Sequence, residues 1–133
     1  MRHFLASLAL TLCLSVAAQA QEDPVSRVIN DQIDAFLADD FDTAFSYASP
    51  NIKRLFGSPE RFGQMVRRGY PMVHRPAEVT MLDQRRNGPR IDQRVMIRDQ
   101  TGRLHLLAYD MVETPEGWQI NGVAVLPAPD IGT

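Results

Sequence analysis

Apolar residues recur three and four positions apart after residue 22, which predicts amphipathic helices. Asp23 and Pro24 provide an N-cap and a first helical residue. The apolar face of this first helix would hold Val25, Val28, Ile29, Ile33, Phe36 and Leu37. A second helix follows near residues 41–48 and is expected to stop at Ser49-Pro50, because proline disfavours helical geometry in the residue before it.

Residues 58–76 join this helical part to a part with a different period, and they hold three of the nine prolines. Just before them, Ile52, Leu55 and Phe56 predict one further apolar turn. Ser58 provides the N-cap of another helix, which we expect to end at about Arg68 with Gly69 in the left-handed conformation. The chain from Tyr70 to Pro76 is expected to be extended, since two of its residues precede prolines.

From Ala77 onward apolar and polar residues alternate, which predicts β-strands. Turn residues cluster at 85–89, 99–102 and 114–117, and they divide this part into four consecutive strands. The third strand, 103–113, is apolar on both faces and is expected to be central, and Gly122 in the fourth predicts a bulge. The predicted fold class is therefore α+β, with N-terminal helices packed on a curved four-stranded antiparallel meander.

The first twenty residues have the features of a secretory signal peptide. Arg2-His3 forms a short basic start, an apolar run follows, and Ala18-Gln19-Ala20 fits signal peptidase cleavage. The apolar run is shorter than the roughly 18–20 residues that a membrane span needs. We expect a signal peptide at residues 1–20 with cleavage after Ala20, a single domain at 21–126 and a C-terminal tail at 127–133. The protein would be periplasmic or secreted, with no membrane segment after cleavage.

Composition narrows the partners and cofactors to be expected. The single cysteine, Cys13, lies inside the predicted signal peptide, so the mature chain would have neither a thiol nor a disulfide. Residues 51–103 are basic, but aromatic residues do not interleave with the arginines there, so we expect a solvated surface and no nucleic-acid partner. The two remaining histidines, without cysteine, fall short of a zinc site. No metal and no cofactor are expected.

Three segments of the chain carry a resemblance to a known family. They are Val28-Ile29-x-x-Gln32-x-x-Ala35-Phe36, Asp39-Asp40-Phe41-x-x-Ala44-Phe45-x-x-Ala48-Ser49-Pro50 and Phe62-x-x-Met65-Val66-x-x-Gly69-Tyr70-Pro71-Met72-Val73. These motifs are similar to the bacterial secreted family named domain of unknown function 4864. The order of helices and strands resembles the nuclear-transport-factor-two-like superfamily, also called SnoaL-like or cystatin-like. The resemblance implies a cone-like fold and export, and it implies no particular activity or catalytic residues.

A sheet that curls around helices leaves a cavity at its mouth, which is the default ligand site. The candidate ligand-binding residues are Tyr70, Met72, His74, Tyr109, Asp110 and Trp118. If the strand face that holds Asp110 is the interior one, its carboxylate would lie among apolar neighbours and could act as a general base, aided by Tyr70 or His74. Alternatively, Asp110 is exposed or pairs with an arginine, His74 is a surface or packing residue, and Trp118 anchors the core.

No complete catalytic set emerges from the sequence, which favours binding over catalysis. We expect a non-enzymatic module that binds an unidentified small molecule or protein through the cavity or a sheet face. Two alternatives stay open. One is a small-molecule isomerase or lyase with Asp110 as general base, and the other is a structural homodimer, which would require a wide apolar patch on the outer face of the sheet.

Overall fold

The computed structural model describes residues 22–127, which form five helices followed by four strands. The helices are α1 (Pro24–Leu37), α2 (Phe41–Ser46), α3 (Pro50–Phe56), α4 (Pro59–Gly69) and α5 (Pro71–His74). The strands are β1 (Pro76–Asn87), β2 (Arg90–Asp99), β3 (Leu104–Thr114) and β4 (Gly117–Leu126), paired antiparallel in the order β1-β2-β3-β4. The α+β meander is confirmed. The predicted signal peptide and residues 128–133 of the predicted tail lie outside the described residues.

Side-chain caps fix where the helices begin. Asp23 Oδ1 accepts a hydrogen bond from the backbone N–H of Ser26 at 3.0 Å, and a proline follows the cap. Ser58 caps α4 in the same way, so both predicted N-caps are confirmed. Ser49 does the same for α3, with Pro50 as the first helical residue. Ser49-Pro50 therefore begins a helix, whereas the helix before it ends earlier than predicted, at Ser46.

The connection between α4 and the sheet differs from the prediction. α4 continues through Gly69, whose backbone does not adopt the left-handed conformation, and α5 forms a helical turn where we expected extended chain. Pro71 suits the first position of that turn, and the turn places Val73 in the core at 4% exposure. Tyr70 and Arg75, the two residues that precede prolines, both avoid helical geometry, so the turn forms between them without breaking that restriction.

The core lies between the helices and the inner face of the sheet. On β3, which is central as predicted, Leu107, Tyr109 and Met111 are completely buried and pack against the helical layer. Side chains alternate along a strand, so Ala108 and Asp110 lie on the opposite side, called here the outer sheet face. The register between β3 and β4 shifts beside Gly122, which confirms the predicted bulge.

Candidate functional site

A cavity of about 210 Å³ lies between the helices and the inner face of the sheet. Every described helix except α2 contributes to its wall, together with β3 and β4. Most of the wall is apolar and is formed by Phe36, Ala48, Ile52, Leu55, Phe56, Phe62, Met65, Val66, Val73, Ile120 and Val123. Such a concave, apolar site with few polar groups is the usual form of a small-molecule pocket.

Aromatic rings from four helices pack together beside the cavity. The ring of Phe62 on α4 lies 5.9 Å from that of Phe36, 5.2 Å from that of Phe45 and 5.9 Å from that of Phe56. Tilted and edge-on arrangements at these distances stabilise aromatic pairs beyond the area that they bury. Rings from three other helices thus pack around that of Phe62.

Three polar side chains line the cavity, and two of them already have hydrogen-bond partners. Gln32 on α1 donates from Nε2 to the carbonyl oxygen of Ala44 at 3.1 Å. Tyr70 donates its hydroxyl proton to the carbonyl oxygen of Val123 at 3.2 Å. Tyr109 is completely buried, and its hydroxyl has no partner among the described residues. Its proton therefore has no acceptor within this part of the chain.

The environment of Tyr109 keeps its phenol protonated. Burial raises the pKa of Tyr109 well above its usual value, and the nearby phenol of Tyr70 raises it further. Tyr109 also lies directly across the β3–β4 ladder from Val123, whose carbonyl oxygen holds the Tyr70 hydroxyl. The two phenols are thus brought to one side of the cavity.

α3 forms the exposed side of the cavity. None of its residues is buried, and Leu55 is 71% exposed although it lines the cavity. The helix is bounded by the Ser49 cap and by Gly57, whose φ of 79° is in the left-handed region that glycine adopts most readily. A short, weakly packed helix between such ends is the natural route by which a ligand would reach the cavity.

Asp110 does not line this cavity. It lies on the outer sheet face, where its Oδ2 accepts a hydrogen bond from Asn121 Nδ2 at 3.0 Å and lies 3.5 Å from Nη1 of Arg90. The interior placement that the catalytic hypothesis requires is therefore not met. Both faces of β3 are apolar in sequence, and packing turned the face with Leu107 and Tyr109 inward.

His74 also lies outside the cavity lining. Its Nε2 is 2.8 Å from Asp39 Oδ1, and its ring stacks on Phe41 with centroids 5.9 Å apart. Arg75 donates to Asp39 Oδ2 at 2.7 Å and to the carbonyl oxygen of Phe36 at 2.8 Å. The hydrogen bonds to His74 and then to Arg75 hold the pKa of Asp39 below its usual range. His74 thus links α5 to the segment that follows α1.

The remaining two candidate residues are separate from the cavity. Met72 packs against the hydrophobic core but does not line the cavity. Trp118 is partly buried and lines a different, open groove near the β3–β4 turn, together with Tyr47, Arg27 and Lys53. Of the six candidate residues, the structure brings only Tyr70 and Tyr109 together at the cavity.

Sequence reasoning missed several residues of the cavity. Gln32 was part of a family motif but was not assigned to a site, and the apolar turn with Ile52, Leu55 and Phe56 was not connected with the cavity. The signal that could have found α3 is an apolar face on a helix too short to bury it, which leaves that face for a ligand.

Metal and membrane signals are both lacking in the described part of the chain. Within residues 22–127, histidines and carboxylates nowhere form a group of three that could hold a metal ion. The same residues contain no helix that is both long and apolar enough to span a bilayer.

The fold and the cavity define a class of protein, namely helices on an antiparallel meander with an apolar cavity between them. A crystal structure from Campylobacter jejuni, described provisionally as an NTF2-like transpeptidase, has the same fold with a TM-score of 0.53. The two chains are 13% identical, and the match covers 76% of this chain and 99% of the other. At that identity the likeness concerns the fold alone.

The family follows from the sequence. The model of the family described as "Domain of unknown function (DUF4864)" matches residues 18–133, so the chain belongs to this family. The resemblance expected from the motifs is confirmed. No curated protein matches the chain.

Proposed function

We propose that the domain binds a small, predominantly apolar molecule in the cavity between its helices and its sheet. The observation that carries the proposal is Tyr109, which lines an apolar cavity of about 210 Å³ and whose buried hydroxyl has no partner among the described residues. An unsatisfied buried hydroxyl lowers the stability of the folded state, so a ligand that accepts its proton would stabilise the protein.

The character of the cavity supports binding rather than turnover. Among the described residues that line it, none carries a carboxylate, an imidazole or an amine. Proton abstraction needs a base within hydrogen-bond reach of the substrate. Asp110, the base in the isomerase or lyase alternative, lies on the outer sheet face. Turnover of a small substrate that Asp110→Asn abolishes, with folding intact, would contradict the binding proposal.

Stabilisation by small apolar probes tests this function. An apolar cavity of about 150 Å³ is large enough to bind benzene, so toluene should fit here. A ligand that binds only the folded state stabilises it by about 2.7 kcal/mol at a concentration of 100 Kd. Urea unfolding with and without toluene would measure this stabilisation.

A filled cavity provides the matched comparison. Val66→Phe adds a ring to the buried cavity wall and should abolish stabilisation by toluene. Val125→Phe makes the same replacement at a position that is 51% exposed and outside the lining, and it should keep the effect. If Val66→Phe does not fold, Val123→Phe fills the opposite wall. A wild-type protein that no apolar probe stabilises, or a folded filled variant that still responds, would refute the proposal.

Export is part of the same proposal. We infer that residues 1–20 direct the chain to the periplasm and that cleavage follows Ala20, as the small-x-small pattern indicates. The intact mass of the protein from the periplasmic fraction should correspond to a chain that begins at Gln21. A full-length chain retained in the cytoplasm would overturn this part.

Self-association is a second candidate function, favoured by the outer sheet face. Met96, Leu106 and Leu126 are neighbours across β2, β3 and β4, and all three are only half-buried. Charges of both signs surround them, with Glu78, Asp92 and Asp110 against Arg90, Arg94 and Arg98. A two-fold interface brings a patch against itself, so this balance of charge suits a second copy of the chain.

Sedimentation at micromolar concentration would test the dimer. Leu106→Lys places a charge in the middle of the patch and should give a monomer. Leu37→Lys introduces the same charge at an exposed position on α1 and should leave the dimer intact. A wild-type monomer at the same concentration would rule out this candidate.

A further inference from the structure

We infer that the ligand is uncharged and carries an acceptor oxygen, such as a carbonyl, to which Tyr109 donates its hydroxyl proton. This inference rests on the proposed function, because it names the class of molecule that the cavity binds. It follows from which hydrogen-bonding groups of the cavity are already used, from the absence of charge in the described lining, and from the size of the cavity.

Tyr109 keeps a donor proton that no described residue accepts. The Tyr70 proton goes to the Val123 carbonyl, and the Gln32 amide nitrogen donates to the Ala44 carbonyl. Of the two phenols, only that of Tyr109 has a hydroxyl with no partner among the described residues. A buried donor is satisfied only by an acceptor, so the ligand should bring an oxygen with a free lone pair. A carbonyl, ether or hydroxyl oxygen has one.

The lining excludes a charged ligand. No arginine, lysine or histidine and no carboxylate is found among the described residues around the cavity. Taking an ion out of water without a counter-ion costs far more than one hydrogen bond returns. A ligand with a carboxylate or an ammonium group would therefore bind poorly, whereas a neutral molecule loses little hydration free energy on entering the cavity.

A single water molecule is a poor alternative partner for Tyr109. Buried waters usually make about three hydrogen bonds. The other two polar side chains of the described lining, Tyr70 and Gln32, already donate to backbone carbonyl oxygens. The cavity of about 210 Å³ is also far larger than the roughly 30 Å³ that one water occupies. A compact molecule with one ring or a short chain fills it better.

Three probes of similar shape separate these features: cyclohexanone, methylcyclohexane and cyclohexanecarboxylate. Their affinities would be measured for the wild type, for Tyr109→Phe and for Tyr47→Phe. The last variant removes a phenol hydroxyl that lies outside the cavity lining. One hydrogen bond is worth roughly a three- to tenfold change in affinity. Tyr109→Phe should lower the affinity for cyclohexanone by that factor relative to the affinity for methylcyclohexane. Tyr47→Phe should leave both affinities unchanged.

A second readout needs no variant. The carbonyl stretching frequency of bound cyclohexanone should fall to a lower value than in an apolar solvent, because Tyr109 donates to the oxygen. Cyclohexanecarboxylate should bind at least tenfold more weakly than cyclohexanone.

The outcomes distinguish this inference from the proposed function. If both neutral probes bind and the hydrocarbon and the ketone respond equally to Tyr109→Phe, with an unshifted carbonyl band, the donor assignment is wrong and the binding function stands. Binding of the carboxylate as tightly as the ketone would overturn the requirement for an uncharged ligand. If neither neutral probe binds to the wild type, the proposed function itself fails.

Discussion

Replacing Tyr109 with phenylalanine removes one oxygen atom from the interior and leaves the ring in place. In the ligand-free protein that oxygen is fully buried and has no partner among the described residues. An unsatisfied buried polar group costs about 1 to 3 kcal/mol. Tyr109→Phe should therefore increase the free energy of unfolding by about 1 kcal/mol, the lower end of that range. For a domain of this size the increase corresponds to a rise in Tm of about 4 °C or more.

Tyr70→Phe is the matched comparison, because the Tyr70 hydroxyl does have a partner. It donates to the Val123 carbonyl at 3.2 Å, and its loss should reduce the free energy of unfolding by about 0.5 to 1.5 kcal/mol. The two variants remove the same atom type from neighbouring positions and should change stability in opposite directions.

Urea unfolding measures both effects. A higher midpoint with an unchanged slope shows a true gain in stability, and mass spectrometry of the purified proteins would establish that no ligand remains bound. If Tyr109→Phe is less stable than the wild type without ligand, the hydroxyl is satisfied within the folded chain. The argument for a ligand acceptor would then lose its basis.

Three further predictions concern the scaffold. A Cβ added at Gly63 would lie 2.6 Å from Phe41 Cδ1, so Gly63→Ala should destabilise the protein by about 1 to 3 kcal/mol in thermal unfolding. Gly69→Ala meets no neighbour and should not destabilise the protein. Equal stabilities of the two variants would contradict the close approach of α2 and α4. Hydrogen bonds from His105 and then Thr101 lower the pKa of Asp99 from 3.8, so its contribution to stability is present above about pH 4 and is lost as the pH falls through the lowered value. Asp99→Asn should accordingly lose less stability than the wild type between neutral and acidic pH, and parallel pH profiles would refute this assignment. Ser49→Ala removes the hydrogen bond that Ser49 accepts from the Ile52 N–H as the cap of α3, and also the hydrogen bond to Asn121. The free energy of unfolding, measured in urea, should fall by about 1 to 2 kcal/mol. An unchanged free energy of unfolding would show that α3 does not depend on its cap.

Local chemistry accounts for much of the fold. The change of apolar spacing from helical to alternating separated the helices from the meander, and the caps Asp23 and Ser58 marked two helix starts correctly. These features depend on neighbours a few positions apart, so the chain order alone contains them. The turn at Pro71–His74 was missed because its stabilisation comes from burying Val73 in a core that the sequence does not display.

The site depended on a choice that the sequence leaves open. β3 is apolar on both faces, so its period could not decide whether Asp110 or Tyr109 would face the helices. A shift by one position exchanges the two faces of a strand, and only the packing of Leu107, Tyr109 and Met111 against the helices settled the matter. The sequence by itself thus determined the elements and their order. Tertiary packing decided which side chain faces the cavity. It also left the buried Tyr109 hydroxyl without a partner within residues 22–127, because hydrogen-bond satisfaction depends on residues that are distant in the chain.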